Sequence, residues 1–195
     1  MDWSTLIQTF VGAGVGTAAV TGLISIYREH RHKKAQAAYM AMRLAVELEA
    51  FAADCSNLIA SNSIAEQGPD QQFPDWNTEM PEIAPYPDDP EGWRAIDRKL
   101  AGRCLNFRNK IVGSRSAIAA TVELSIDDLE NELNEHIAAR GLEAWQLAAA
   151  LRRRHSVEDA DVVWSFAGQL EETLRKAEKT KEDRAKAQSS IFNSA

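Results

Sequence analysis

Four histidines and two cysteines are the side chains of this chain best suited to metal, acid–base or nucleophilic chemistry. His136 follows Glu135 and lies one helical turn beyond Glu132. A carboxylate-bridged di-metal bundle needs two Glu-x-x-His motifs plus two further inward glutamates. Leu133 stands where one of those motifs would need its glutamate, so no metal set is assembled. His155 closes the run Arg152, Arg153, Arg154, which together form a candidate anion or phosphate contact. The competing reading is a set of cations at a helix C-terminus, complementing the negative end of the dipole. His30 and His32 are two residues apart and point to different sides of a helix. Cys55 and Cys104 both fall on apolar faces, as small buried hydrophobes do. No Ser/His/Asp set or Walker loop is present. Gly12-x-Gly14-x-Gly16 is not a dinucleotide-binding fingerprint, because no strand precedes it. The sequence therefore predicts no catalytic residue, no cofactor and no metal.

The elements that would position these residues begin with an apolar segment. From Trp3 to Tyr27 no residue is charged; Arg28, Arg31, Lys33 and Lys34 follow at once. A bilayer core takes about 20 helical residues. The glycines of this run would each weaken a water-exposed helix by about 1 kcal/mol, an objection that loses force in lipid. Residues 1–27 are accordingly read as a single transmembrane anchor. An export signal fits less well, since only Asp2 precedes the run and all the basic residues come after it. A buried soluble helix is the remaining alternative. The basic cluster Arg28, Arg31, Lys33 and Lys34 sets orientation by the positive-inside rule. The N-terminus is then outside and the rest of the chain cytoplasmic, a reducing compartment in keeping with two unpaired cysteines. Gly12 and Gly16 form one small-residue ridge, and Gly14, Ala18 and Gly22 another. Such ridges support close packing of two membrane helices, hence a homodimer.

Beyond the anchor the chain reads as all-α. Residues 28–62 carry a seam of Ala37, Ala41, Leu44, Leu48, Phe51, Cys55 and Leu58 at bundle spacing, with no glycine or proline to interrupt the stalk. Five of the six prolines fall within residues 63–89, a long crossing loop with Phe73, Trp76, Ile83 and Tyr86, and the sixth, Pro90, follows at once. That loop is a packed strap, a partner-binding segment or a disordered one. Its aromatics Phe73, Trp76 and Tyr86, with Trp93, are candidate partner anchors, whereas Trp93, Trp145 and Trp164 at seam positions suit core anchoring.

Residues 90–187 hold three more helices. Asp89-Pro90-Glu91 opens the first, through Trp93, Ile96, Leu100, Cys104, Phe107, Ile111 and Ile118. Ser125-x-x-Asp128 and Ser156-x-x-Asp159 resemble capping boxes opening the next two. Gly113 is a candidate bend and Gly141 a candidate break in these helices. Residues 188–195 form a polar tail. The whole reads as an antiparallel four-helix bundle in which each helix reverses the last. Lys176, Lys179, Lys181, Arg184 and Lys186 would then return to the membrane surface.

The stretches "LEAFAADCSNLIASN", "PEIAPYPDDPEGWRAIDRKLAGRCLNFRNKI" and "GLEAWQLAAALRRRHSV" resemble a loosely defined group of uncharacterised bacterial proteins. Pro81 or Pro85, Pro87 and Trp93 correspond to that group's lead-in to a helix, and Gly141 to Arg153 to a later segment. The resemblance implies a membrane helix followed by a helical region, in the bacterial inner membrane, and no activity.

A net charge of -7, dispersed among both signs, excludes nucleic acid as a main partner. The sequence thus predicts a membrane-anchored helical protein of structural or interaction type, with the bilayer, a second copy and an unknown protein as partners. A membrane-tethered enzyme or sensor with a pocket between helices is the alternative. An envelope-spanning phage-type lysis protein is disfavoured by the position of the basic residues.

Overall fold

The computed structural model describes the backbone of residues 3–66, 76–124, 126–160 and 166–192. Side chains are described for residues 22–64, 76–123, 128–160, 166–187 and 189. The described chain is all-helical. Its helices are α1 (Trp3–Glu66), α2 (Pro90–Ala95), α3 (Arg98–Leu124), α4 (Ile126–His155) and α5 (Phe166–Phe192).

α1 is one unbroken helix of 64 residues, so the expected anchor and stalk share a single axis. Its predicted seam is buried at every position, joined by Met40, Ala45, Ala52 and Ile59. Residues 22–35 are all exposed, so this part of α1 carries none of the buried seam. Among the described residues no helix is long and apolar enough to cross a membrane. The side chains of residues 3–21, which make up most of the expected anchor, lie outside the described residues.

The predicted second helix is in fact two. Asp89 caps α2, its Oδ1 accepting from the Gly92 N–H at 2.9 Å, with Pro90 in the first turn. The chain then turns extended at Ile96, and Asp97 starts α3 by accepting from the N–H groups of Lys99 and Leu100. The apolar period runs through this break, because Ile96, Leu100, Cys104, Phe107, Ile111 and Ile118 are all buried. Gly113 neither breaks nor caps α3.

Residues 76–89 form a strap without regular structure, stretched back along the bundle. Asn62 and Asn77 exchange two hydrogen bonds at one end. Arg115 donates to the Pro81 carbonyl, Arg108 to the Ala84 carbonyl and the Tyr86 hydroxyl to the Cys104 carbonyl. Side chains of α3 thereby satisfy carbonyls that have no ladder or helix to join.

The strap corrects the expected topology. Because it makes the return journey, α3 starts beside the beginning of the bundle and leads away, parallel to α1. Phe51 and Phe107 meet edge to face at 5.5 Å. α4 then returns, with Glu143 beside Lys110 of α3 and Arg152 beside Glu49 of α1. α5 leads away again: Gln169 bonds Ser56 at 2.7 Å, while Lys181 pairs with Glu132 and Glu135 near the start of α4. α1, α3 and α5 therefore run one way around a single opposed α4. The basic C-terminal residues lie at the far end of the bundle, about 55 Å along α1 from Tyr27 at 1.5 Å per residue.

The expected capping box at Ser156 is also replaced. Ser156 adopts a left-handed conformation, φ 55°, and the Val157 N–H donates to the Arg152 carbonyl at 3.0 Å. This is a helix-terminating Schellman turn that ends α4. Ser125, the other expected box, and Trp164 lie outside the described residues.

Gly141 does not break α4. It sits where α1, α4 and α5 meet, and an added methyl would lie 2.9 Å from the Cys55 Cβ and 3.0 Å from Leu170. The glycine permits that close approach.

Candidate functional site

The Arg152–His155 run is committed internally. Arg152 is buried, and its guanidinium donates to both Glu49 oxygens at 2.7 and 2.8 Å and to the Glu158 carbonyl at 2.6 Å. This is a bidentate, charge-assisted pair between α1 and α4, not a vacant anion contact. Arg154 donates to Asp97 at 3.1 Å. His155 Nε2 accepts from the Asp97 N–H at 3.3 Å. Burial, and then the neighbouring Arg154, lower the His155 pKa against the opposing effect of Asp97. Arg153 alone of the run faces solvent without an acidic partner among the described residues. Arg152, Arg154 and His155 serve as the seam that fastens the end of α4 to α1 and to the start of α3. The sequence gives Glu49 no distinguishing mark as a partner 103 residues away.

The aromatic candidates behave in two ways. Tyr86 and Trp93 are half-buried, their rings 5.9 Å apart, with the Arg108 guanidinium 4.6 Å from the Tyr86 ring centre. The Trp93 Nε1–H donates to the Pro87 carbonyl at 3.0 Å, so both residues spend their polar handles inside the fold. Trp76 is half-buried, and its Nε1–H has no partner among the described residues. Phe73 lies outside the described residues. The strap is thus packed over residues 76–89, and its surface with α3 leaves a groove of about 620 Å³ lined by Met80, Arg115, Ile118 and Val122.

The cysteines are buried and unpaired. Burial pushes both thiols up, Cys104 to about 12, which suppresses the reactive thiolate. His136 lies 3.5 Å from Glu132, and Lys181 reaches both Glu132 and Glu135. This cluster is an α4–α5 clasp. Among the described residues no group of histidines, cysteines and carboxylates could hold a metal.

The basic residues Arg28, Arg31, Lys33 and Lys34 are exposed on the part of α1 that precedes the buried seam. Lys33 pairs with Glu29 at 2.6 Å, and Arg31 lies 5.9 Å from the Tyr27 ring centre. Gly22 has no atom within 4 Å of an added methyl. The surroundings of Gly12, Gly14, Gly16 and Ala18 lie outside the described residues. No family model, curated protein or solved structure matches the chain.

Proposed function

We propose that the protein is a single-pass, membrane-anchored helical bundle that serves a structural or protein-interaction purpose at the cytoplasmic face of a bacterial inner membrane. One observation carries this reading. α1 continues toward the N-terminus past the buried seam that begins at Ala37, and residues 22–35 are all exposed. Leu23, Ile24, Ile26 and Tyr27 are exposed on this stretch. It is continuous in sequence with the uncharged run from Trp3 and ends in the basic cluster. A glycine-rich helix needs tertiary packing to be stable in water. In lipid the same segment gains a solvent that favours it.

The make-up of the bundle interior supports an interaction role. Its buried polar side chains among the described residues are Ser56, Asn62, Ser114 and Arg152, spread along the bundle and not gathered on one cavity. The tethered-enzyme alternative needs such a gathering. A second copy is a fitting partner, because Tyr39, Met42 and Val46 are exposed along α1 below the glycine ridges. Gly16→Ile should then abolish self-association in a membrane assay.

Alkaline carbonate extraction tests the anchor. The full chain is expected to stay with the membrane pellet, and a chain lacking residues 1–27 to be released. Release of the full chain contradicts the proposal.

A further inference from the structure

We propose that the groove between α1 and α2 binds the phosphate of an anionic lipid headgroup, clasped by Arg28 and Arg94. The inference rests on the anchored reading above and deepens it, since it names a ligand for the membrane-facing end of the bundle. The groove measures about 700 Å³ and is lined by Arg28, His32, Lys33 and Gln36 from α1 and by Glu91 and Arg94 from α2. Its carboxylates are accounted for: Glu29 is held by Lys33 at 2.6 Å, and Glu91 accepts from Gln36 at 3.0 Å. Arg28 and Arg94 have no acceptor among the described residues. Two arginines without an acceptor among the described residues thus line one cleft, and the planar fork of arginine suits bidentate contact with phosphate.

α2 is placed firmly enough to make this a built cleft. Asp89 caps it, the Trp93 indole ties it to the Pro87 carbonyl, and Gly92 lies so close to α1 that an added methyl would be 3.2 Å from the Met40 Cβ. The position along α1 decides which phosphate. With Tyr27 at the hydrocarbon boundary, Arg28 to Gln36 covers about 13 Å of helix. A headgroup layer is about 5–8 Å deep. The Ser25–Arg28 end of the groove therefore opens at headgroup depth, beside exposed Ile24, Ile26 and Tyr27, and Arg94 lines the same groove from α2. A lipid held there would fix the bundle's rotation against the membrane.

The test uses the full chain purified in detergent, with retained lipid counted by native mass spectrometry after adding phosphatidylglycerol or phosphatidylcholine. The wild type is expected to retain phosphatidylglycerol in preference. Arg94→Gln and Arg28→Gln should each lower that retention about five-fold, the effect of one basic residue at an anionic surface. Arg103→Gln, an exposed arginine of α3 outside the groove, should leave it unchanged. Equal retention of the two lipids, equal retention by Arg94→Gln, or an equal loss in Arg103→Gln overturns the proposal. Displacement by inorganic phosphate as effective as by phosphatidylglycerol assigns the cleft to a soluble anion and also overturns it. Failure of the anchored reading shows separately, as a chain absent from floated vesicles whatever their headgroup, and overturns both.

Discussion

Glu49 of α1 and Arg152 of α4 hold each other through two parallel hydrogen bonds of 2.7 and 2.8 Å, with both side chains largely shielded from water. Breaking such a pair from one side strands a buried charge. Glu49→Leu should cost about 3–5 kcal/mol in denaturant unfolding. Glu49→Leu combined with Arg152→Met should recover most of that loss, since a well-packed apolar pair often replaces a buried ion pair without penalty. Simple additivity of the two changes would show that the pair is not coupled.

Gly141 and Gly113 should respond oppositely to alanine. Helix propensity favours alanine at both by about 1 kcal/mol. At Gly141 the added methyl meets Cys55 and Leu170, and overpacking of about 1–3 kcal/mol should outweigh the gain. At Gly113 the space is open, and Gly113→Ala should stabilise. Thermal melts of the two variants check the signs.

Ser156 carries a left-handed backbone without being glycine. Ser156→Gly should stabilise the protein by about 1 kcal/mol, the cost of a Cβ in that conformation. A lower melting temperature would contradict the Schellman account.

His155 gives a pH dependence with a defined sign. Its pKa is lowered in the folded protein from the ordinary 6.5, so the unfolded chain takes up the proton first. Stability from this group is complete above about pH 6.5 and is lost as pH falls through that value toward the folded pKa. Protonation also removes the acceptor for the Asp97 N–H. His155→Gln keeps an acceptor and should flatten the melting temperature over this range.

Much of the bundle is legible in the sequence, because burial of one helix face imposes a period that survives in the residues themselves. Every seam residue from Ala37 to Leu58 is buried, and so is each from Ile96 to Ile118 in its helical pair. That same persistence hides the break at Ile96–Asp97, where the apolar period passes through two helices unaltered. Direction is less legible. Nothing in the period tells that the strap, and not a helix, makes the return, and so α5 ends far from where alternation would place it. Ser156-x-x-Asp159 misleads because serine caps a helix from an extended conformation, whereas here it ends one from the left-handed region. The arginine run signals charge but not its partner; Glu49 sits among α1 residues that look solvent-facing until α4 covers them.

The anchor and its sidedness are tested together by a membrane-impermeant maleimide applied to intact cells. Single cysteines are introduced by Asp2→Cys or Ser189→Cys; the native thiols are buried and serve as a silent background. The account predicts that the first variant is labelled from outside and the second only after the inner membrane is opened. Labelling of the second in intact cells, or a protein recovered free of membrane with neither position labelled, would contradict it.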